Sequence, residues 1–313
     1  KQPQVDPAAR CGRGPYPKTQ IPAPSNLRDI PRRYCRYGVD PQWLVEDLKS
    51  ACRPDLVLAT SLMTYWYPGV AETIAVVRSV WPEVPVALGG VYATLCPGHA
   101  AAATGADEII SGHGEEAVFR LVEKYTGRRI TPELDLRDID ALPYPALDLQ
   151  HSIAFVPVRT SRGCPFSCDY CASRQIDPRL EQRNPEKVVA ELRYWHETFG
   201  IRDAAFYDDA LLVCAEDHAD ILFALLADTG MKMRLHTPNA LHVRNITPKT
   251  AKLMHRAGMQ TVRLGLETTD FESRDMDRKV EAREFLRAAA YLKEAGFSEK
   301  ELGAYLLAGL PGQ

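Results

Sequence analysis

No apolar run in this 313-residue sequence approaches the roughly 18–20 residues that a membrane-spanning helix needs. A charged leader followed by an apolar stretch is also missing, so nothing reads as a secretory signal. No short internal repeat or low-complexity tract is present, which sets aside solenoids and repeat arrays. Net charge is only −3, which argues against a general polyanion binder, and nucleic acid is not an expected partner. What is there is ordinary for a water-facing globular chain: 45% hydrophobic and 25% charged residues. The length suits about two domains of roughly 100–200 residues each.

The sequence opens on Lys1 rather than Met and stops in loop-like Leu310-Pro311-Gly312-Gln313, so the expectation is an internal piece of a longer protein. Residues 1–37 carry eight Lys/Arg against Asp6 and Asp29. This Pro-rich stretch reads either as a solvated extended arm or as an arm that holds phosphates, the second reading admitting an RNA-modifying role.

Eight cysteines lie at 11, 35, 52, 96, 164, 168, 171 and 214, five of them single and three clustered. Without a leader the expected setting is cytoplasmic, where structural disulfides are rare. A cluster there points to metal or catalysis.

Residues 1–41 have little apolar periodicity and read as an irregular arm. From 42 to 126 short apolar runs alternate with helical spacing: strands near 56–60, 84–88 and 108–110, with helices at 68–80, around 100–103, and on to about Tyr125. That alternation predicts parallel βαβ units in a doubly wound, Rossmann-like sheet. Pro132, Pro143, Pro145 and several Asp make 127–150 a linker. A second alternation fills 151–313, with strands near 154–160, 203–207, 232–236, 260–266 and 302–308, and helices near 185–198, 216–228, 248–257 and 281–295. Five β/α steps of unchanged rhythm predict a barrel or partial barrel.

Three cysteines fall within eight residues, Cys164-Pro165-Phe166-Ser167-Cys168-Asp169-Tyr170-Cys171. Such a tight loop can turn three thiolates toward one point. A [4Fe-4S] cluster usually takes four Cys ligands, and no fourth Cys is close, which would leave one iron open to bind a substrate. A structural zinc site, and with it a non-catalytic metal-binding module, is the rival reading. Zinc asks for four ligands, and His151, His196 and Cys214 do not sit at zinc-finger spacing.

The Cys-x-x-x-Cys-x-x-Cys signature, with Tyr170 just before the last Cys, resembles the radical S-adenosylmethionine (SAM) superfamily. The resemblance implies an incomplete (β/α)6 barrel and a [4Fe-4S] cluster on Cys164, Cys168 and Cys171. It also implies SAM on the open iron, reductively cleaved to a 5′-deoxyadenosyl radical. A small-molecule substrate and an electron donor such as flavodoxin or ferredoxin follow. Polar or Gly-rich residues end the five barrel strands, where barrel active sites lie. By the same resemblance Asp208, Asp209, Asn239, Glu267 and Gly309 are expected to bind SAM. Asp208→Asn and Glu267→Gln are each expected to weaken SAM binding and leave the cluster intact. Their plainer readings are helix caps for Asp208 and Asp209, a surface ion pair for Glu267, and turn formers for Asn239 and Gly309.

Residues 42–126 resemble the cobalamin-binding domain often fused before such a barrel. Ser61 follows one strand and Gly89-Gly90 the next, 28 positions from Ser61 to Gly89. The resemblance makes Ser61, Gly89 and Gly90 cobalamin-binding, and Gly112-His113-Gly114 lies at a third strand end. No Asp-x-His-x-x-Gly is present to ligate cobalt. Paired glycines also simply make turns. The implied chemistry is cobalamin-dependent methyl transfer, or a rearrangement or cyclisation without cobalamin.

Overall fold

The computed structural model describes residues 17–150, 152–269 and 280–309. The chain divides into two compact units, Lys1–Leu136 and Arg137–Gln313.

In the first unit the expected irregular arm contains a short antiparallel ribbon, β1 (Lys18–Gln20) on β2 (Cys35–Tyr37). Arg36 ties it down through an ion pair to Glu72 at 2.9 Å. Helix α1 (Pro41–Ser50), absent from the sequence reading, starts where Asp40 Oδ1 accepts from Gln42 N at 2.9 Å. An aspartate cap followed by Pro at the first helical position is a favoured helix start. Then come β3 (Val57–Ser61), α2 (Tyr67–Val80), β4 (Val86–Gly90), α3 (Val91–Leu95), α4 (Pro97–Thr104), β5 (Glu108–Ile109) and α5 (Glu115–Thr126). The three strands form a parallel sheet in the order β3-β4-β5. Its core is Ile74, Val77, Val86, Leu88, Tyr92, Ala93 and Ala100. Strand β4 starts two residues later than expected. Pro85 has no N–H to give, and its carbonyl accepts from Val57 N at 2.9 Å as the ladder begins. Gly89 and Gly90 are therefore inside the strand, opposite Thr60 and Ser61, and not beyond its end.

The second unit runs β6 (Val156–Val158), β7 (Ser161–Arg162), α6 (Ser173–Ile176), β8 (Glu181–Gln182), α7 (Pro185–Phe199), β9 (Asp203–Phe206), α8 (Ala219–Asp228), β10 (Arg234–His236), α9 (Pro248–Arg256), β11 (Met259–Glu267), α10 (Ala282–Ala295) and β12 (Leu302–Leu306). Five of these strands make one parallel sheet, ordered β12-β11-β10-β9-β6. Spatial order follows chain order without reversal, unlike a doubly wound sheet with its switch point. Val156, Val158, Ala204, Phe206, Leu235, Val262 and Leu264 share one core with Val188, Leu192, Trp195, Phe223, Met254 and Leu292 of the helices. Alternate strand residues point to opposite faces, so the helices cover one face of the sheet, as in a barrel wall. Helix α7 is fixed at its start by Asn184, whose Oδ1 accepts from Glu186 N at 2.8 Å, and stops at left-handed Gly200.

Candidate functional site

The cysteine loop hangs from a two-stranded hairpin. Strands β7 and β8 pair antiparallel, Ser161 opposite Gln182 and Arg162 opposite Glu181, with all three cysteines between them. Gly163 has φ +81°, and a Cβ there would stand 2.1 Å from Arg179 O and 3.0 Å from Asp177 O. Only glycine fits so close a backbone approach. An ion pair at 2.9 Å between Arg159 and the buried Asp177 draws the loop's two ends together. Cys171 N donates to Cys168 O at 3.0 Å, which turns the chain between the last two thiols. Cys164 and Cys168 are buried. Cys171 is exposed, and its Sγ donates to Ser173 Oγ at 3.2 Å. The seven described cysteines are unbridged. Among the described residues no three His, Cys, Asp or Glu side chains converge as a metal-holding group. Three unbridged thiols on one braced loop are nevertheless a donor set that fits an iron–sulfur cluster, and among the described residues no carboxylate or imidazole completes a zinc site with them.

The rim residues divide. Asp208 is buried, and its Oδ1 accepts from Thr160 N (2.8 Å), Thr160 Oγ1 (2.8 Å) and Ser161 Oγ (2.7 Å). Burial pushes its pKa up, against the lowering effect of those hydrogen bonds. Its Oδ2 is buried without a hydrogen-bond partner among the described residues. Asp208 thus clamps the strand that leads into the cysteine loop. Asn239 Nδ2 donates to Tyr207 O (3.0 Å) and Asp208 O (3.2 Å), bracing the same corner. Asp209 beside it is half-buried. Glu267 is buried, not a surface charge. It adopts φ +64° at a register shift between β11 and β12, and its carbonyl accepts from Leu307 N at 2.8 Å. A non-glycine residue in that region carries backbone strain of a kind that gathers at functional sites. Gly309 has φ +81° with open space where a Cβ would go.

The sequence reading passed over the Thr160–Ser161 partners of Asp208, the constraint on Gly163, and the stacking of Phe166 on buried His242, with ring centroids 4.0 Å apart. Only Gly163 had a local signal, as a glycine directly before the first cysteine of a tight loop.

In the first unit Ser61, Gly89 and Gly90 meet at the carboxyl edge of the sheet. Ser61 Oγ donates to Gly89 O at 2.7 Å and accepts from Ala93 N at 3.3 Å. Gly90 has φ +92°, and a Cβ there would lie 2.2 Å from Ser61 O. Thr94 Oγ1 donates to Gly90 O at 2.8 Å and accepts from Gly112 N at 3.0 Å, so the third strand end joins the same edge. Side-chain-free backbone at the ends of parallel strands is where open α/β sheets take ligands, and it fits the tail of a nucleotide cofactor. His99 is engaged elsewhere: its Nδ1 lies 2.6 Å from Tyr92 OH, and its ring packs edge-on against Tyr67.

Comparison with known proteins agrees with both units. Residues 158–313 match the Radical SAM superfamily model, and residues 33–122 match the B12 binding domain. An uncharacterized methyltransferase of Pyrococcus horikoshii is 27% identical over 243 residues, 69% of this chain and 52% of that protein. An anaerobic magnesium-protoporphyrin IX monomethyl ester cyclase of Synechocystis sp. is 24% identical over 259 residues, 72% of this chain and 50% of that one. The chain spans about half the length of these curated relatives. Among solved structures, the radical SAM methyltransferase TsrM of Kitasatospora setae, with cobalamin and a [4Fe-4S] cluster bound, superposes with a TM-score of 0.70 at 17% identity, covering 88% of this chain and 62% of that one. The cobalamin-dependent radical SAM enzyme OxsB, with aqua-cobalamin and SAM bound, gives 0.69 at 14% identity, covering 86% and 43%. At these identities the structures speak for the fold. With a three-thiol loop in the second unit and a glycine-lined edge in the first, the chain belongs to the radical SAM superfamily, in its B12-binding branch, and its cofactors are those of that branch: a [4Fe-4S] cluster, SAM and cobalamin.

Proposed function

We propose that the chain is the cofactor-binding core of a cobalamin-dependent radical SAM enzyme that methylates a small molecule at an unreactive carbon. The observation that carries this reading is the cysteine loop locked by Gly163 and Asp208, in a chain that also matches the B12 binding domain. Cys164, Cys168 and Cys171 hold the cluster, which with bound SAM supplies a 5′-deoxyadenosyl radical. Asp209, Asn239, Glu267 and Gly309 edge the SAM site, and Asp208 acts on it from beneath. Ser61, Gly89 and Gly90 seat the cobalamin tail. The work divides between 42–126 and 151–313, joined by 127–150. A flavodoxin- or ferredoxin-type donor supplies the electron, in a reducing cytoplasm that keeps the thiols from oxidising.

A second reading is favoured by the cyclase relatives: the same radical step used for bond formation without methyl transfer. One preparation tests both. Anaerobically reconstituted protein is expected to hold about four iron and four sulfide per chain, release 5′-deoxyadenosine from SAM, and retain corrinoid. Replacing the three cysteines by Ala abolishes the first two. Zinc alone in the parent, or a cluster that persists in the triple variant, overturns the assignment. A cluster and SAM cleavage without corrinoid transfers support to the second reading.

A further inference from the structure

The loop between β10 and α9 packs against the cysteine loop, a contact to which neither the motif nor the comparisons assign a role. Between the buried Cys164 and Cys168 the chain swings outward: Pro165 and Ser167 are exposed, and Phe166 is half-buried. The Phe166 ring lies on the His242 ring with centroids 4.0 Å apart and planes inclined by 24°. His242 is itself buried, 6% exposed. The backbone beneath it is stitched to the sheet, for Leu241 N donates to Arg263 O at 2.7 Å and Gly265 N donates to Leu241 O at 3.0 Å. Three residues earlier, Asn239 grips the carbonyls of Tyr207 and Asp208, and Asp208 in turn holds Thr160 and Ser161. One short segment, 239–242, therefore reaches the cysteine loop twice: through a hydrogen-bonded relay to its root, and through a ring stack to its middle.

We propose that His242 is a positioning residue for the cluster, its ring the platform on which Phe166 rests, so that the spacing of Cys164 and Cys168 is held before iron arrives. The platform works by shape and area. A ring that can rise off its partner lets the loop breathe and exposes the cluster to chelators and oxidants. A flat ring of similar size without nitrogen serves as well.

The proposal rests on the radical SAM reading, and its test separates the two. The full chain and its His242→Ala, His242→Phe, Phe166→Ala and Phe166→Ala/His242→Ala variants are reconstituted without oxygen. Iron and sulfide per chain are counted, iron loss to an added chelator is timed, and the electron paramagnetic resonance spectrum of the reduced cluster is recorded with and without SAM. Stacked aromatic pairs carry enough energy for His242→Ala and Phe166→Ala each to speed iron loss roughly two- to tenfold. The double variant is expected to be no faster than the worse single, and His242→Phe to match the parent in rate and in its SAM-induced spectral change. A parent without a cluster overturns the radical SAM reading itself. A parent with a cluster, and a His242→Ala variant equal to it, overturns the positioning role alone. So does a His242→Phe variant that sheds iron as fast as Phe166→Ala, because the ring nitrogens would then be the operative feature. Should His242→Ala not fold, the comparison of His242→Phe with Phe166→Ala decides.

Discussion

At the scale of single residues, the two ends of the molecule's chemistry rest on side chains that do not themselves meet a substrate. Asp208 uses one oxygen for three donors and leaves the other buried without a partner among the described residues. Asn keeps the accepting oxygen but places an NH2 where the unpartnered oxygen sits. Asp208→Asn is therefore expected to load iron as the parent does with a modest loss of stability, whereas Asp208→Ala removes the acceptor altogether and strands three donors. Each buried donor left unpaired costs about 1–3 kcal/mol, so the Ala variant should melt earlier and load less iron, as thermal melts and iron assays will show. Equal behaviour of the two variants would remove Asp208 from the loop's support. The paired glycines separate in the same way. A Cβ at Gly89 would make ordinary contacts with Ile110 Cβ at 3.7 Å and Ile110 O at 4.0 Å, while one at Gly90 would meet Ser61 O at 2.2 Å and carry φ +92° besides. Gly89→Ala should be close to neutral, and Gly90→Ala should destabilise the first unit by about 1–3 kcal/mol and weaken corrinoid retention. Denaturant titration and the visible spectrum of bound corrinoid measure the two effects.

Among the elements, the β/α alternation was legible because apolar runs of strand length alternate with helical spacing. Strands β6, β9, β10, β11 and β12 and the helices between them lie where that rhythm put them. Elements without a hydrophobic period were not legible. The β7–β8 hairpin has two residues on each side and exists through contacts across the cysteine loop, such as Arg183 N donating to Thr160 O at 2.8 Å. The ribbon of β1 and β2 is too short and too polar to show alternation. Helix α1 did carry its cap, Asp40 before Pro41, but followed directly on a stretch rich in proline and arginine. In the site, the thiols were legible from spacing alone. The Asp208 clamp spans 48 positions and leaves no local trace. A further element-scale contact is testable. Arg183, ahead of α7, donates to Glu191 on that helix at 2.7 Å and lies 3.5 Å from Asp140 in an ion pair, with Glu191 only 3% exposed. Removing one member of a buried pair leaves the other charge uncompensated, at a typical penalty of about 3–5 kcal/mol. Arg183→Met should lower the stability of the second unit by that order. Arg183→Met with Glu191→Met should recover much of it, as chemical denaturation of both variants will test.

For the whole molecule, stability toward acid should depend on Asp203. Burial raises its pKa, but hydrogen bonds from Arg234 and His236 outweigh burial and hold it below the ordinary aspartate value. A carboxylate lowered in this way stabilises the folded state above its unfolded pKa, and that contribution is lost as pH falls through the folded one. Melting temperature followed from neutral pH downward should show the loss in the parent. Asp203→Asn should start lower at neutral pH and decline less steeply in acid; parallel curves would show that Asp203 is not a determinant. The strand order β6-β9-β10-β11-β12 has one more consequence. Each strand lies against the one synthesised before it, so the sheet can grow in a single direction, every finished edge templating the next. The cysteine loop belongs to the first-made end. Its hairpin and its Asp208 clamp are all present once Asp208 has emerged, and the segment bearing Asn239 and His242 arrives later to press on a loop already shaped. The thiols are therefore gathered first and braced second, and the loop reaches its held spacing only once residues 239–242 have docked.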